Sequence, residues 1–419
     1  MSHKTPALES SAVQSGADHL PAATLPEVVE TLAVLERRAG SVDEQRAAEW
    51  IAERLDRAGA QTRMEEELFY DGYARQLLPF GLACLATGVW ALIARRRLLP
   101  AVIAAAATAA LIDDVSNGER VWRKLVTRPK RTWNVVAHAG DPAGERTLVV
   151  LAHHDAAPTG RVFDQSLQKW GARRLPWLIA RIDVSLPIWW PVAGAGGLVA
   201  GGAASGNRKL AAAGIALSAL IVAIAVDIAR SPIVPGANDN LSAVAALVAL
   251  AELLRERPVP GLRVLLVSCG AEEVLQGGIY GFAERHFANL RKDRTWFLNL
   301  DTIGSPELIM AEGEGPFWME DYTDPGFRDL IARAAERIGQ PLRRGTRSRA
   351  SSDAVIPSRA GYPTAMLASW EPDSKVLSNY HLMTDTPENL SYDTIERAVT
   401  ITHAVASELA ADTGGAKLQ

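Results

Sequence analysis

Strand-like and helical apolar runs alternate along most of this chain, and the alternation limits the folds that it can adopt. The strand-like runs are Gln61–Tyr70, Trp133–His138, Thr147–Ala152, Leu262–Cys269, Thr295–Leu300 and Pro363–Leu367. The later helical runs are Leu241–Arg255, Gly278–Leu290, Phe327–Ile338 and Ser391–Leu409. Such alternation is typical of an α/β domain whose sheet is covered by helices on both faces. We therefore predict a three-layer α/β sandwich around a mixed, mostly parallel sheet.

Two more helices are predicted ahead of the first strand, between about Glu27 and Gly59. Apolar residues recur there at helical spacing, and Ser41 followed by Glu44 forms a capping-box pattern at the start of the second helix. Residues 1–24 are small and polar, with no basic region followed by an apolar run. We predict that they form a flexible tail and are not a signal peptide.

Two pairs of long apolar runs interrupt the alternation. The first pair is Leu77–Ala94 and Leu98–Ile112, and three arginines separate its members. The second pair is Leu186–Ala204 and Leu210–Ile228, and Asp227 is the only charged residue in these two runs. A membrane-spanning helix needs roughly 20 such residues, and only Leu98–Ile112 is clearly shorter. We predict two helical hairpins inserted into the α/β domain.

The hairpins could cross a membrane or form core helices of a large soluble protein. Their pairing, their Ala and Gly content and the adjacent Trp189 and Trp190 favour the membrane, with lipid as a partner. Both hairpins return the chain to the side on which it started. Their flanks are more basic than their turns, and this excess predicts a multi-pass protein whose α/β domain is cytoplasmic.

Composition and charge exclude several other classes of protein. The formal net charge of −4 gives no basic field for nucleic acid, so none is predicted as a partner. The 48% hydrophobic content excludes wholesale disorder. The two cysteines, Cys84 and Cys269, stand in apolar runs and predict no disulfide framework. The chain also lacks the phosphate-binding loop Gly-x-x-x-x-Gly-Lys, which disfavours phosphoryl transfer.

Histidines and carboxylates follow the predicted strands directly or stand in nearby loops. They are His153, His154, Asp155, Asp239, Glu272, Glu273, Asp301 and His381. Singly, each has an ordinary explanation, such as a helix cap or a solvated surface. Together they would meet at the carboxyl edge of one sheet, where ligands gather. Such a cluster needs a cation to balance its charge, and a set of imidazoles and carboxylates suits Zn²⁺.

These motifs resemble those of metallopeptidase family 28, the di-zinc aminopeptidases. In the family's order, they are His153-His154-Asp155, Asp239-Asn240-Leu241-Ser242, Glu272-Glu273, Asn299-Leu300-Asp301-Thr302-Ile303-Gly304, and His381 with Asp385-Thr386. The resemblance covers roughly Leu25–Tyr70 and Arg131–Leu409, apart from the hairpins. A softer match, Ser352-Asp353 with Gly361-Tyr362-Pro363, would lie near the substrate pocket. The implied fold is that of the zinc exopeptidases and phosphorylase/hydrolase-like proteins.

The resemblance also implies two zinc ions per chain and a role for each motif residue. The implied ligands are Asp239, which bridges the ions, with His153 and Asp301 at one ion and Glu273 and His381 at the other. Glu272 would be the general base. Asp155 would orient the ring of His153 from behind. We favour His153 over His154 as a ligand because only His153 has an aspartate two positions later.

The implied activity is that of a zinc-dependent exopeptidase, in the first place an aminopeptidase acting on peptides. Two metals would activate a shared water, and Glu272 would accept its proton. A glutaminyl-cyclase-like acyltransferase with one zinc, and an inactive membrane receptor or scaffold, are lower-ranked alternatives because no ligand is missing. The motifs do not distinguish aminopeptidase from carboxypeptidase or dipeptidase action.

The chain departs from the family at two motif positions and in the long separation of His153 from Asp239, which are 86 positions apart. Ala243 and Val274 stand where the family has glycine, which bears on the shape of the pocket. The second hairpin separates His153 from Asp239, two residues that must meet. The predicted peptidase domain comprises residues 25–75, 131–160 and 231–412. The hairpin insertions comprise residues 76–130 and 161–230.

Overall fold

The computed structural model describes residues 24–72 and 74–411, so the tail predicted at residues 1–24 lies almost wholly outside the described residues. The helices are α1 (Thr24–Ala33), α2 (Val42–Arg57), α3 (Ala74–Ile93), α4 (Leu98–Val115), α5 (Val121–Val126), α6 (Ser166–Arg174), α7 (Pro176–Ile179), α8 (Trp189–Ser205), α9 (Arg208–Arg230), α10 (Ser242–Glu256), α11 (Gly277–His286), α12 (Pro325–Arg337), α13 (Val355–Arg359) and α14 (Tyr392–Ala411). The strands are β1 (Gln61–Tyr70), β2 (Pro129–His138), β3 (Arg146–His153), β4 (Leu262–Cys269), β5 (Thr295–Leu300), β6 (Glu307–Glu314), β7 (Glu320–Asp321), β8 (Arg343–Ser348) and β9 (Thr364–Trp370).

In the described chain all of these strands join one nine-stranded sheet, in the order β1-β2-β4-β3-β5-β9-β6-β7, with β8 paired to β6. The central strands β4, β3, β5 and β9 are mutually parallel. The flanking pairs β1–β2, β2–β4, β6–β9 and β6–β7 are antiparallel. The carboxyl ends of the parallel strands therefore form one edge at the centre of the sheet, where the candidate site lies.

Both faces of the sheet are covered. Leu148 and Val150 of β3 belong to a large apolar cluster with α1, α2, α10 and α14. Val149 and Leu151 point to the opposite face and pack with Phe282 of α11. This alternation follows from the two-residue period of a strand. The predicted fold class, a mixed sheet with helices on both sides, is confirmed.

The apolar runs form two helical hairpins, α3–α4 and α8–α9, that pack against each other as a four-helix bundle. Glycines allow the close approach. A side chain at Gly202 would place its Cβ 2.4 Å from the backbone nitrogen of Ala211, and one at Gly214 would lie 2.7 Å from the backbone of Val199. Leu98 and Ile93 point outward, where they are mostly exposed.

Among the described helices, four are long and apolar enough to cross a membrane. Three of them are α3, α4 and α9. The fourth, Ala237–Glu256, contains α10 and is buried in the α/β core except at its C-terminal end, so its apolar character is explained by the core. At 17 residues, α8 is shorter than these helices and spans about 26 Å.

Candidate metal centre

Each predicted site residue lies at the carboxyl edge of the sheet or in a loop beside it. His153 is the last residue of β3, and Asp301 follows β5 directly. Glu272 and Glu273 lie in the loop between β4 and α11. Asp239 lies in the irregular turn Ala237–Leu241 that leads into α10, and its peptide bond to Asn240 is cis. His381 lies in the loop between β9 and α14.

The structure brings the five predicted ligands into two groups that share Asp239. Ligand atoms of His153, Asp239 and Asp301 all lie within 4.8 Å of one another, and so do those of Asp239, Glu273 and His381. Asp239 uses one oxygen for each group: Oδ1 lies 3.2 Å from His153 Nε2, and Oδ2 lies 3.4 Å from His381 Nε2. This is the arrangement that a bridging carboxylate would need.

Asp155 links His153 to the paired glutamates. Its Oδ1 lies 3.4 Å from His153 Nδ1, on the side of the ring away from Asp239. The same carboxylate accepts hydrogen bonds from the backbone amides of Glu272, at 2.9 Å, and Glu273, at 3.1 Å. Asp155 therefore contacts three neighbouring site residues. The family resemblance implies only one of these contacts, the one that orients the ring of His153.

Glu272 lies beside the first group without belonging to it. Its Oε2 lies 3.9 Å from His153 Nε2. Its Oε1 accepts a hydrogen bond of 3.0 Å from the side-chain amide of Gln276, which also donates to the carbonyl of Ser351. Glu272 thus has one oxygen directed at the centre and the other held in place. Sequence reasoning passed over Gln276.

Asp239 is held by a carboxylate of the His381 loop. Asp385 accepts hydrogen bonds from the backbone amides of Asn238 and Asp239 at 2.8 and 3.1 Å. The buried guanidinium of Arg37 donates to the carbonyls of Pro235 and His154, so it ties the Asp239 turn to the end of β3. No sequence motif indicated Arg37, because its partners are backbone carbonyls that come together only in the fold.

Charge is concentrated in this buried region. Burial raises the pKa of Glu273 to about 7, although His381 opposes this shift. Burial also raises the pKa of Glu272 well above its usual value. Burial alone would lower the pKa of His381, but the charges of Glu273 and Asp239 raise it to about 10. The carboxylates thus draw positive charge to the site, which protons or a metal cation can supply.

The donor set fits zinc. Each group offers one imidazole nitrogen and carboxylate oxygens, which are ordinary zinc ligands. Glu273 Oε1 is buried without a hydrogen-bond partner among the described residues. A buried carboxylate oxygen in that position is costly unless a cation accompanies it.

His154 is oriented away from both groups. Its Nδ1 lies 2.9 Å from the hydroxyl of Ser268. Burial lowers its pKa to about 4, as expected for a neutral core histidine. Of the softer matches, Tyr362 packs in the apolar core beneath the sheet and donates to the carbonyls of Phe287 and Leu290. It therefore supports the sheet from below.

An aromatic residue of the second insertion also reaches the site. The ring of Phe163 lies 4.5 Å from that of His381, edge to face, and Tyr380 stacks on the same imidazole at 3.9 Å. Sequence reasoning missed Phe163, since nothing local marks a phenylalanine as a site residue.

A family model matches the segment that carries most of these residues. Residues 223–406 match the model of peptidase family M28. The match includes Asp239, Glu272, Glu273, Asp301 and His381. His153 and Asp155 lie outside it, before the second hairpin. Over this segment the chain is therefore similar to a family of peptidases.

Solved structures share the fold over nearly the whole chain. The aminopeptidase from Aneurinibacillus sp. strain AM-1 is 16% identical, with a TM-score of 0.54 and 93% of each chain covered. The zinc aminopeptidase of Bacillus subtilis is 14% identical, with a TM-score of 0.54, covering 95% of this chain and 98% of that one. The glutaminyl cyclase of Bacteroides thetaiotaomicron is 12% identical, with a TM-score of 0.54, covering 93% and 98%. A sequence comparison with curated proteins gives no match.

Proposed function

We propose that this chain is a zinc-dependent exopeptidase of family M28, specifically an aminopeptidase, with His153, Asp239, Glu273, Asp301 and His381 as ligands of two zinc ions. The observation that carries the proposal is the pair of ligand groups joined by the two oxygens of Asp239. An inactive receptor or scaffold has no need to keep a complete donor set beside a buried carboxyl group.

Zinc, when bound, would supply Lewis acidity and lower the pKa of the attacking water. The side chains of the protein do the remaining work. Glu272 accepts the proton of that water at Oε2, the oxygen turned toward the centre, and returns it to the leaving amine. Gln276 keeps the other oxygen of Glu272 in place. Asp155 fixes the backbone of the Glu272-Glu273 pair, so that the proton acceptor and the ligand Glu273 keep their relative positions.

Glu272→Gln tests the division between base and ligands. The variant should retain about two zinc ions per chain, and turnover of an aminoacyl reporter should fall by about 100-fold or more. Metal content by atomic emission and steady-state kinetics on the same preparation give both quantities. Fewer than one zinc ion per wild-type chain, or full activity of the variant, would contradict the proposed mechanism.

The competing activity is cyclisation of N-terminal glutamine, and the structural likeness to a glutaminyl cyclase is the observation that favours it. Peptides with a free N-terminal glutamine distinguish the two reactions. Release of the N-terminal residue indicates an aminopeptidase, and loss of ammonia with the peptide intact indicates a cyclase. A parallel assay with N-blocked peptides tests carboxypeptidase action.

We further propose that α3, α4, α8 and α9 span a membrane and that residues 25–75, 131–160 and 231–412 form the peptidase domain, on the cytoplasmic side. Support comes from the length and apolar character of α3, α4 and α9. When membranes are extracted with alkaline carbonate, the full chain should stay in the membrane fraction. Its recovery in the soluble fraction would contradict the spans.

A further inference from the structure

The segment of residues 161–188, between the candidate centre and α8, exposes large apolar side chains that the peptidase fold does not use. Trp170 and Trp177 are 53% and 59% exposed. Leu167, Leu175 and Leu178 are exposed beside them. These residues lie on the short helices α6 and α7, or between them in the case of Leu175, and the two helices pack mainly on each other. We call this part of the chain the surface segment.

Cations alternate with these apolar side chains. Lys169, Arg173, Arg174 and Arg181 lie in the same stretch, and the guanidinium of Arg174 lies 5.8 Å from the ring centre of Trp170. The surface segment contains two acidic residues, and one of them, Asp183, is paired with Arg343 and Lys375 of the peptidase domain. The exposed side of the segment is therefore both basic and rich in tryptophan, as in interfacial helices.

Both ends of the surface segment are fixed. At its start, Phe163 contacts His381, and the side-chain amide of Gln165 donates to the carbonyl of Leu377 at 2.7 Å. Near its end, the amide of Ser185 donates to the carbonyl of Arg347 at the end of β8. The chain then enters α8 at Trp189. The segment thus joins the rim of the candidate centre to the apolar bundle.

We propose that the surface segment lies in the headgroup layer of an anionic membrane and opens the centre toward peptides held at that surface. The occupant follows from charge complementarity and from continuity with the bundle. Arginine and lysine attract anionic headgroups, while tryptophan and leucine enter the boundary with the acyl chains. The part of the proposal that concerns substrates rests on the proposed peptidase function, and the part that concerns lipid does not.

The lipid contact can be measured without any activity. A fluorophore attached through L167C should be quenched by phospholipid that carries a spin label near its headgroup, in nanodiscs of equimolar phosphatidylglycerol and phosphatidylcholine. The matched control is E145C, because Glu145 is exposed just before β3, at the opposite end of that strand from His153. The unsubstituted chain gives the background, since Cys84 and Cys269 are buried.

Quenching through L167C but not through E145C supports the proposal. R173Q should lower the ratio of lipid-bound to free segment about fivefold, and nanodiscs of phosphatidylcholine alone should lower it further. Equal quenching at the two positions, or none through L167C, overturns the proposal and would leave a protein partner as the occupant of this surface.

The substrate part is tested with two peptides of the same N-terminal sequence, one soluble and one carrying a C-terminal acyl chain. The double variant W170S/W177S should lose kcat/KM for the acylated peptide by about tenfold, the loss of a shared interfacial anchor, while the soluble peptide is cleaved as before. An equal loss of kcat/KM for both peptides overturns the part of the proposal that concerns substrates. If the wild type cleaves neither peptide, the proposed function fails, and the quenching result still decides the lipid contact.

Discussion

At the scale of single residues, Gln276 connects the candidate base to the first hairpin. Its amide nitrogen donates to Glu272, and its oxygen accepts a hydrogen bond of 3.4 Å from Arg120, a residue between α4 and α5. Gln276 has a φ of +60°, a left-handed conformation that few non-glycine residues adopt. Glu272 lies four residues earlier in the chain, in the loop that precedes α11.

Gln276→Met should therefore lower kcat by about tenfold while changing KM little, because a buried hydrogen bond to a charged group is lost and the metal ligands are untouched. Gln45→Met is the matched control, since Gln45 forms an exposed hydrogen bond to Glu49 on α2. Steady-state kinetics of the two variants decide the matter. Equal losses in both, or a change confined to KM, would contradict the assignment of Gln276 as a positioning residue.

Glu314 gives a prediction about pH. Burial raises its pKa to about 8, although hydrogen bonds from Ser352 oppose the shift. The folded protein therefore binds a proton that the unfolded chain releases near pH 4.5, so stability falls as the pH rises from about 4.5 to 8. Glu314→Gln should remove this contribution, a slope of about 1.4 kcal/mol per pH unit at most.

Thermal unfolding at several pH values between 5 and 8 provides the test. Glu53→Gln, on the exposed side of α2, is the control and should keep the wild-type slope. An identical pH dependence in E314Q and the wild type would show that Glu314 is already ionised in the folded protein.

At the scale of elements, the buried central strands and the edge strand β1 were predictable, whereas β6, β7 and β8 at the other side of the sheet were not. Thr147–Ala152 and Leu262–Cys269 are continuous apolar runs, as a strand buried on both faces requires. In contrast, β8 has the sequence Arg-Arg-Gly-Thr-Arg-Ser and becomes a strand only by pairing with β6. Its extended conformation depends on that tertiary partner, which local propensity does not encode.

The contact between α8 and α9 can be tested with two adjacent glycines. Gly202→Ala would force a methyl group against the backbone of Ala211, whereas Gly201→Ala would place it where nothing lies within 4 Å. We expect G202A to destabilise the protein by about 1–3 kcal/mol and G201A to be nearly neutral. Thermal unfolding in detergent compares them. Equal stability of the two variants would contradict this packing of the bundle.

At the scale of the whole molecule, the residues of the candidate site could be predicted, but the contacts that hold them in place could not. The identities and order of the motifs sufficed to select His153, Asp239, Glu273, Asp301 and His381, which the fold does bring together. The contacts that hold them, such as Phe163 against His381, link segments far apart in the chain. They depend on how the insertions dock, and a single sequence contains no signal for that docking.

The proposed topology predicts opposite exposure of two positions. R96C lies in the turn between α3 and α4, and E145C lies in the peptidase domain. In intact cells, a membrane-impermeant maleimide should label R96C, whereas E145C should react only after permeabilisation, because the bilayer separates the two. Labelling of both in intact cells would refute the topology, and labelling of E145C alone would reverse its orientation.

The position of the second hairpin between His153 and Asp239 has a consequence for the order of synthesis. The ribosome completes β3, with His153, before α8 and α9, and makes Asp239 and the later ligands only afterwards. A nascent chain therefore cannot assemble the bridged centre until the hairpin has emerged. If the proposed peptidase function holds, an unfinished chain has no proteolytic activity, because it still lacks Asp239 and the later ligands.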